Sequence, residues 1–335
     1  MTGRHAPATF RSSCRRNLAA RVASSSAEMP LPILSSTPTR RAVLSSLGGL
    51  AAAGCASGGY AFWIEPAWRL GVAEHRISPA NWPSGRRLTI AALTDVHVAE
   101  PYMPLRRVEE IVAATNALRP DMIVLLGDWP PSARMMRWAI PMRETASVLK
   151  ELRAPLGVHA VLGNHDWWDD KQVQRLRGGT PRIAGILEDA GISVRVNDAR
   201  RIGEGAEALW VAGLGSLWAF REPGRGFIGA HDLTPALGAV TDEAPVILLC
   251  HEPDIFPEVP PGRVAVTLCG HTHGGQVRLL GYSPIVPSRY GNRYAYGHVA
   301  EEGKHLVVSG GLGWTVAPVR LGVPPEITLV RLGQA

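Results

Sequence analysis

From Leu88 onward the chain repeats one event: a run of apolar, largely β-branched residues stops abruptly at a small polar cluster. "LTIAALT" runs into Asp95, "DMIVLLG" into Asp128, "GVHAVLG" into Asn164, "VILLC" into His251 and "VAVTLCG" into His271. A strand with one wet face alternates apolar and polar residues, whereas a strand covered on both faces reads as an unbroken apolar run. The pattern predicts the central strands of a layered α/β domain. "ALWVAGL", "HLVVSGG" and "EITLVRL" predict further strands. Between the first two runs, Leu105, Val108, Ile111, Val112 and Leu118 fall at helical spacing and predict a crossover helix over residues 104–120. "PRIAGILEDAG" predicts another helix, stopped by Gly191. There is no internal repeat and no second domain boundary in the body. The polar clusters all fall at the C-terminal ends of strands, the edge where open α/β sheets place their ligands.

The pattern upstream is different. In "TPTRRAVLSSLGGLAAAGCASGGYAFWIEP", residues 37–66, Arg40 and Arg41 precede a stretch (42–64) with no charged residue. A basic end followed by a Gly- and Ala-rich apolar core resembles a twin-arginine export signal. The expected organisation is a leader over residues 1–66 and one domain over 67–335. The expected location is the cell membrane or the periplasm and cell envelope, with the twin-arginine export machinery as a partner. About 20 apolar residues can span a bilayer, so cleavage and retention as a membrane anchor both stay open. "AAGC", ending at Cys55, weakly resembles a lipoprotein box, but Ala52 stands where a larger aliphatic residue is usual. Met29 is an alternative start.

The 335 residues suffice for one large α/β domain. The formal charge of +6 invites a nucleic-acid reading. Its location removes that reading: residues 1–41 hold seven arginines against Glu28, so residues 42–335 carry 28 basic and 28 acidic side chains. Nucleic-acid binding needs a basic stripe, and none is expected here. Cys14, Cys55, Cys250 and Cys269 form no CxxC pair, which excludes a zinc ribbon and a disulfide framework.

The strand-end clusters carry the chemistry. They are Asp95 and His97 (D-x-H), Asp128 (G-D), Asn164, His165 and Asp166 (G-N-H-D), His251, and His271 with His273 in "CGHTHGGQ". Carboxylate, imidazole and amide oxygen all ligate first-row metals. If the D-x-H and H-x-H stretches are extended, each pair points to one side of the backbone, because strand side chains alternate faces. A lone Asp at a strand end more often caps a helix, and a lone His in an apolar run is more often a core residue. Five such endings in one chain point instead to a shared site, with ligands enough for two ions.

The order D-x-H, G-D, G-N-H-D, H, G-H-x-H resembles the five-block pattern of the calcineurin-like metallophosphoesterases, from about Leu88 to the end of the chain. "GNHDWW", "GHTHGGQ" and "SGGLGWTVAPVRLGVPPEITLVRL" resemble its exported or membrane-bound bacterial branch. That branch includes YaeI-like phosphodiesterases and a UDP-2,3-diacylglucosamine pyrophosphatase. The resemblance implies an α/β/β/α sandwich of two mixed sheets. It implies that Asp95, His97, Asp128 and His273 hold one divalent ion (Mn, Zn or Fe) and that Asp128, Asn164, His251 and His271 hold a second. His165 would meet the phosphate or protonate the leaving oxygen, with Asp166 fixing its tautomer. Two cations acidify a water between them, so hydroxide attacks the phosphoester directly; no G-x-S-x-G nucleophile is present. The expected substrate is a phosphodiester or pyrophosphate, possibly lipid-linked, such as an envelope precursor. A nucleotide or generic phosphodiesterase, a protein phosphatase and a non-catalytic metal-binding scaffold are the alternatives. "WPPSARMMRWAIP", "WWDDKQVQRLRGG" and "LWAFREPGRG" are the expected pocket rim, with Arg134, Arg137, Arg175 and Arg225 as candidate phosphate contacts.

Overall fold

The computed structural model describes residues 39–132 and 138–334. The chain divides into two compact units, residues 1–50 and 51–335. Residues 40–50 of the first and 51–59 of the second belong to helix α1 (Arg40–Gly59), whose opening the arginine pair forms. Leu44, Leu47 and Leu50 are exposed on it. Gly and Ser interleaved with these leucines dilute its apolar character, and among the described residues no helix is long and apolar enough to cross a membrane. The first 38 residues, with Cys14 and Met29, lie outside the described residues.

In the second unit the chain leaves α1 through a π-helical turn, Tyr60–Ile64, and a short helix, Glu65–Trp68. Ala61, Glu65 and Pro66 are buried. The Ala61 carbonyl accepts from the Arg320 N–H at 2.9 Å, and a Glu65 carboxylate oxygen accepts from the Val323 N–H at 3.1 Å. These residues, drawn with the leader from sequence, pack within the body.

The body is built on β1 (Gly71–Ile77), β2 (Leu88–Leu93), β3 (Met122–Leu125), β4 (Val158–Ala160), β5 (Ser193–Val194), β6 (Asp198–Ile202) and β7 (Leu209–Gly213). It continues with the hairpin β8 (Phe220–Glu222) and β9 (Gly226–Ile228), then β10 (Val246–Leu249), β11 (Val264–Cys269), β12 (Gly297–Glu301), β13 (Lys304–Val308) and β14 (Glu326–Leu332). One six-stranded sheet has the order β1-β14-β2-β3-β4-β5, the other β12-β13-β11-β10-β7-β6. Both are mixed. The chain reverses direction at β14 against β2 in the first sheet, and at the edge strands β12 and β6 in the second.

Every residue of β2, β3, β10 and β11 is buried, as continuous apolar runs require. Odd and even positions feed different cores. Ile90, Ala92, Met122 and Val124 meet Val211, Ile247, Leu249 and Val266 of the other sheet, so the sheets pack face to face. On the opposite face of the first sheet, Ala91, Leu93, Ile123 and Leu125 pack beneath helices α2 (Leu105–Ala117), α3 (Met142–Leu149) and the later Arg182–Asp189 helix. On the outer face of the second sheet, Trp210, Val246, Leu248 and Leu306 pack against Ala236, Ile255 and Phe256. The result is the expected α/β/β/α sandwich. Helix α2 buries Val108, Ile111, Val112 and Thr115, one stripe of a 3.6-residue period. β1 and helix α3 carried no signal strong enough to place them from sequence.

Candidate metal centre

β2, β3 and β4 of one sheet and β10 and β11 of the other all end at the same rim, and the chain turns there through left-handed backbone. Asp95, His97, Asp128, His271 and His273 have φ of 54°, 49°, 65°, 69° and 52°. Such conformations cost about 1–3 kcal/mol each for residues other than glycine and persist only where neighbours impose them. Here the neighbours are backbone hydrogen bonds between the strand ends. The Asp95 N–H donates to Gly127 O at 2.9 Å, the His97 N–H to Asp128 O at 3.1 Å, and the Gly313 N–H to Asp95 O at 2.6 Å. The side chains therefore converge because the backbone turns left-handed. The extended, period-two geometry anticipated from D-x-H and H-x-H is not the reason. Glycine enters where atoms crowd: a β-carbon at Gly270 would collide with the Thr94 and Asp95 side chains, and one at Gly163 with the Asp128 carboxylate and the His251 ring.

Two groups able to hold a metal ion result, Asp95–His97–His273 and Asp128–His251–His271, all six side chains buried. The two histidines of "CGHTHGGQ" thus fall in different groups. His97 Nε2 and His273 Nε2 lie 3.3 Å apart, with His273 Nε2 also 3.3 Å from Asp95 Oδ1. His251 Nε2 is 3.2 Å from Asp128 Oδ2, and His97 Nε2 is 3.7 Å from the same oxygen. Asp128 Oδ2 lies between the groups, while its Oδ1 accepts from the His165 N–H at 2.8 Å.

The ring nitrogens are oriented from behind. His97 Nδ1 donates to Pro130 O at 2.8 Å and His251 Nδ1 to Leu126 O at 2.6 Å, which aims each Nε2 lone pair into the centre. Among the described residues, His271 Nε2 and Asn164 Oδ1 are buried without a hydrogen-bond partner, and His251 Nε2 has beside it only the Asp128 carboxylate oxygen, out of line for a good hydrogen bond. Buried polar atoms are almost always satisfied. Two of these three atoms belong to the Asp128 group, and the third, on Asn164, follows Gly163, which abuts Asp128 and His251; such a set of nitrogen and oxygen donors fits a first-row divalent cation. Burial, before all other causes, takes His271 down to about 3, and burial with the charges of His97 and Arg320 holds His273 well below the usual range. Both rings are thereby kept as neutral lone-pair donors.

His165 sits beside the centre, its ring 5.0 Å from that of His97 and 4.7 Å from that of Trp168. Asp166 does not fix its tautomer. Asp166 Oδ2 accepts from the N–H groups of Asp128 (2.9 Å) and Gly163 (2.8 Å), and Oδ1 from that of Trp129 (3.1 Å). The reason is local: Asp166 occupies the third position of the helix Asn164–Asp169, so its carboxylate turns back to the helix start and ties the Asn164 loop to the Asp128 loop. Burial, then Asp128, pushes its carboxyl up to about 7.

Arg320, which the sequence did not single out, is fully buried with Nη2 3.4 Å from His273 Nδ1. It donates to the carbonyls of Gly310, Gly313 and Val323 and so shapes the loop before β14. Arg175 and Arg225 are exposed, and Arg134 and Arg137 lie outside the described residues. Another unforeseen arginine, Arg221, lies 3.9 Å over the Trp168 ring.

Residues 88–275 match the family model described as calcineurin-like phosphoesterase. The chain belongs to the calcineurin-like phosphoesterase family. It is 30% identical over 304 residues to YkuE of Bacillus subtilis, an uncharacterised metallophosphoesterase, covering 88% of this chain and 97% of that one. It is 29% identical over 275 residues to the phosphodiesterase YaeI of Escherichia coli, covering 82% and 92%. A zebrafish (Danio rerio) transmembrane protein with a metallophosphoesterase domain is 28% identical over 258 residues, which are 74% of this chain and 54% of that protein. As a member of this family the chain is a phosphoesterase, a hydrolase, with two candidate metal sites at its rim.

Proposed function

We propose that this phosphoesterase hydrolyses a phosphodiester or pyrophosphate bond of a lipid-linked or envelope-precursor substrate, with Asp95, His97, Asp128 and His273 holding one divalent ion and Asp128, Asn164, His251 and His271 the other. The observation that carries the reading is the trio of buried donor atoms on Asn164, His251 and His271 that make no well-aligned hydrogen bond among the described residues, beside a carboxylate that faces both groups. When bound, two such cations acidify water and offset the negative charge of a phosphate. The remaining work belongs to the chain. Pro130 O and Leu126 O hold the imidazoles in register, Asp166 holds the two loops together, and His165 donates to a phosphate oxygen or to the departing one. The phosphodiesterase named among the relatives supports a diester-type bond. The arginine pair ahead of a charge-free stretch supports export through the twin-arginine machinery and a place at the membrane or in the envelope.

Elemental analysis of the reconstituted full chain, with hydrolysis of bis(4-nitrophenyl) phosphate and of a diacylglucosamine-linked pyrophosphate in detergent micelles, tests the reading. Two equivalents of a first-row ion, activity lost on chelation and preference for the lipid-linked compound are expected. Hydrolysis that survives metal removal overturns the two-ion assignment, and equal or better hydrolysis of nucleotide diesters overturns the lipid assignment. Replacing Arg40 and Arg41 with lysine keeps the charge but removes the guanidinium pair. Undiminished translocation of that variant overturns the export assignment.

A further inference from the structure

One flank of the centre is an aromatic wall. The Trp218 ring stands edge-on to His271, centroids 4.5 Å apart, and Trp168 leans on His165 at 4.7 Å. Phe227, carried by the hairpin β8–β9, stacks on both, 4.7 Å from Trp218 with 5° between the planes and 5.3 Å from Trp168 with 19°. The wall is braced. Trp168 Nε1 donates to Trp218 O at 2.8 Å, and Gln174 Nε2 donates to Ala219 O at 2.7 Å and to Trp167 O at 3.0 Å. The buried Glu252, next to His251, accepts from the Ser216 hydroxyl and from the Leu217 N–H, so it pins the residues just before Trp218. Over the other end of the wall lies Arg221, its guanidinium 3.9 Å from the Trp168 ring centre. Among the described residues Arg221 forms no ion pair; its neighbour Glu222 is paired to Arg177.

A solvent-facing arginine alone means little. This one lies over the ring of a tryptophan that touches His165, its guanidinium N–H groups making no hydrogen bond among the described residues, at the edge of an apolar surface that is still partly open: Phe227 is 43% exposed and Ile228 40%. The geometry points to a subsite for the leaving half of the substrate, which takes an apolar group through Trp168, Trp218 and Phe227 and that group's own phosphate through Arg221. The subsite rests on the phosphoesterase centre proposed above and narrows its substrate to one whose leaving group is an anion with an apolar or planar body. In the hydrolysis it serves, a water oxygen bonds to the attacked phosphorus and the bridging P–O bond breaks. The electron pair stays on the leaving phosphate, and the water protons pass to the departing oxygen or to solvent. A guanidinium against the departing phosphate stabilises that charge, and a planar fork suits phosphate oxygens better than a point charge does.

Two soluble compounds read this out. P1,P2-diphenyl pyrophosphate releases phenyl phosphate, an apolar anion, whereas diphenyl phosphate releases phenol. In the metal-loaded full chain, Arg221→Gln is expected to lower the ratio of kcat/KM for the pyrophosphate to that for the diester about tenfold, mostly through KM, with Arg221→Lys in between. Binding of phenyl phosphate to the full chain, followed by tryptophan fluorescence, gives a second reading that needs no turnover. Arg221→Gln is expected to weaken it about tenfold. Phe227→Ala is expected to weaken phenyl phosphate severalfold more than it weakens inorganic phosphate. An unchanged ratio in Arg221→Gln, or phenyl phosphate binding equal in all variants, overturns the subsite. A chain that hydrolyses neither compound yet binds phenyl phosphate through Arg221 and Phe227 overturns the proposed activity and leaves the subsite standing.

Discussion

His165 lies among the candidate ligands without belonging to either group. Its ring stands edge-on to His97, its own N–H anchors Asp128 Oδ1, and burial takes its imidazole down to about 4. The backbone contact survives any side-chain substitution, so His165→Ala leaves every proposed ligand and the Asp128 orientation in place. Metal content is expected to stay near two equivalents while turnover of an alkyl ester falls roughly a hundredfold or more, the scale of one acid or phosphate contact. A nitrophenyl ester, whose leaving group departs with little help, should lose less. Metal titration with rates on a leaving-group series checks both points; loss of an ion in this variant would put His165 among the ligands. At this scale residue identities were legible in the sequence, because donors that follow buried strands are rare unless they share a task. Their geometry was not. The left-handed φ at Asp95, His97, Asp128, His271 and His273 comes from hydrogen bonds between distant strand ends. The turning of Asp166 away from His165 combines its place in the first turn of its own helix with N–H groups offered by the distant Asp128 loop.

Among the elements, strands and helices with a strong period were plain from the sequence, whereas the loop before β14 was visible only as a Gly-rich stretch. What organises that loop is Arg320, whose buried guanidinium gathers carbonyls of Gly310, Gly313 and Val323. The sequence gives no hint of it, since an arginine among Val, Leu and Pro looks like a surface residue until the carbonyls are in place. Burial lowers this guanidinium to about 10, which leaves it charged at neutral pH. Removing it strands several buried carbonyls. Arg320→Met is expected to cost about 3–5 kcal/mol in denaturant unfolding, since each buried acceptor left unsatisfied costs about 1–3 kcal/mol. Arg320→Lys should recover only a part, because an ammonium cannot span the same carbonyls. A midpoint unchanged in Arg320→Met would show that the loop is held by its glycine turns alone.

For the whole molecule, the position of Ala61, Glu65 and Pro66 decides where the stable body begins. A chain starting at residue 51 keeps the Ala61 and Glu65 hydrogen bonds to the loop before β14; one starting at residue 67 loses both, along with the buried Ala61 and Pro66. Two hydrogen bonds at about 1 kcal/mol each, with modest apolar burial, make a difference of about 2–4 kcal/mol. For a domain of this size that is roughly 4–8 °C in Tm. Thermal unfolding of the two truncated chains measures it. Equal Tm values would mean that these contacts contribute nothing to the body.

The two groups of candidate ligands also have a mechanical meaning. Asp95 and His97 follow β2 and Asp128 follows β3, in one sheet, while His251 follows β10 and His271 and His273 follow β11, in the other. Each group takes donors from both sheets, so an ion in either fastens the two leaves of the sandwich along one rim, like a clasp on a book whose spine is the apolar layer between them. At a free concentration a hundredfold above Kd, each ion contributes about 2.7 kcal/mol to the folded state. Chelation should then loosen the book at its clasp before its spine. Amide exchange at Leu93, Leu125, Leu249 and Cys269 is expected to quicken on metal removal, while exchange at Leu88, Met122 and Val264, at the opposite ends of the same strands, stays slow.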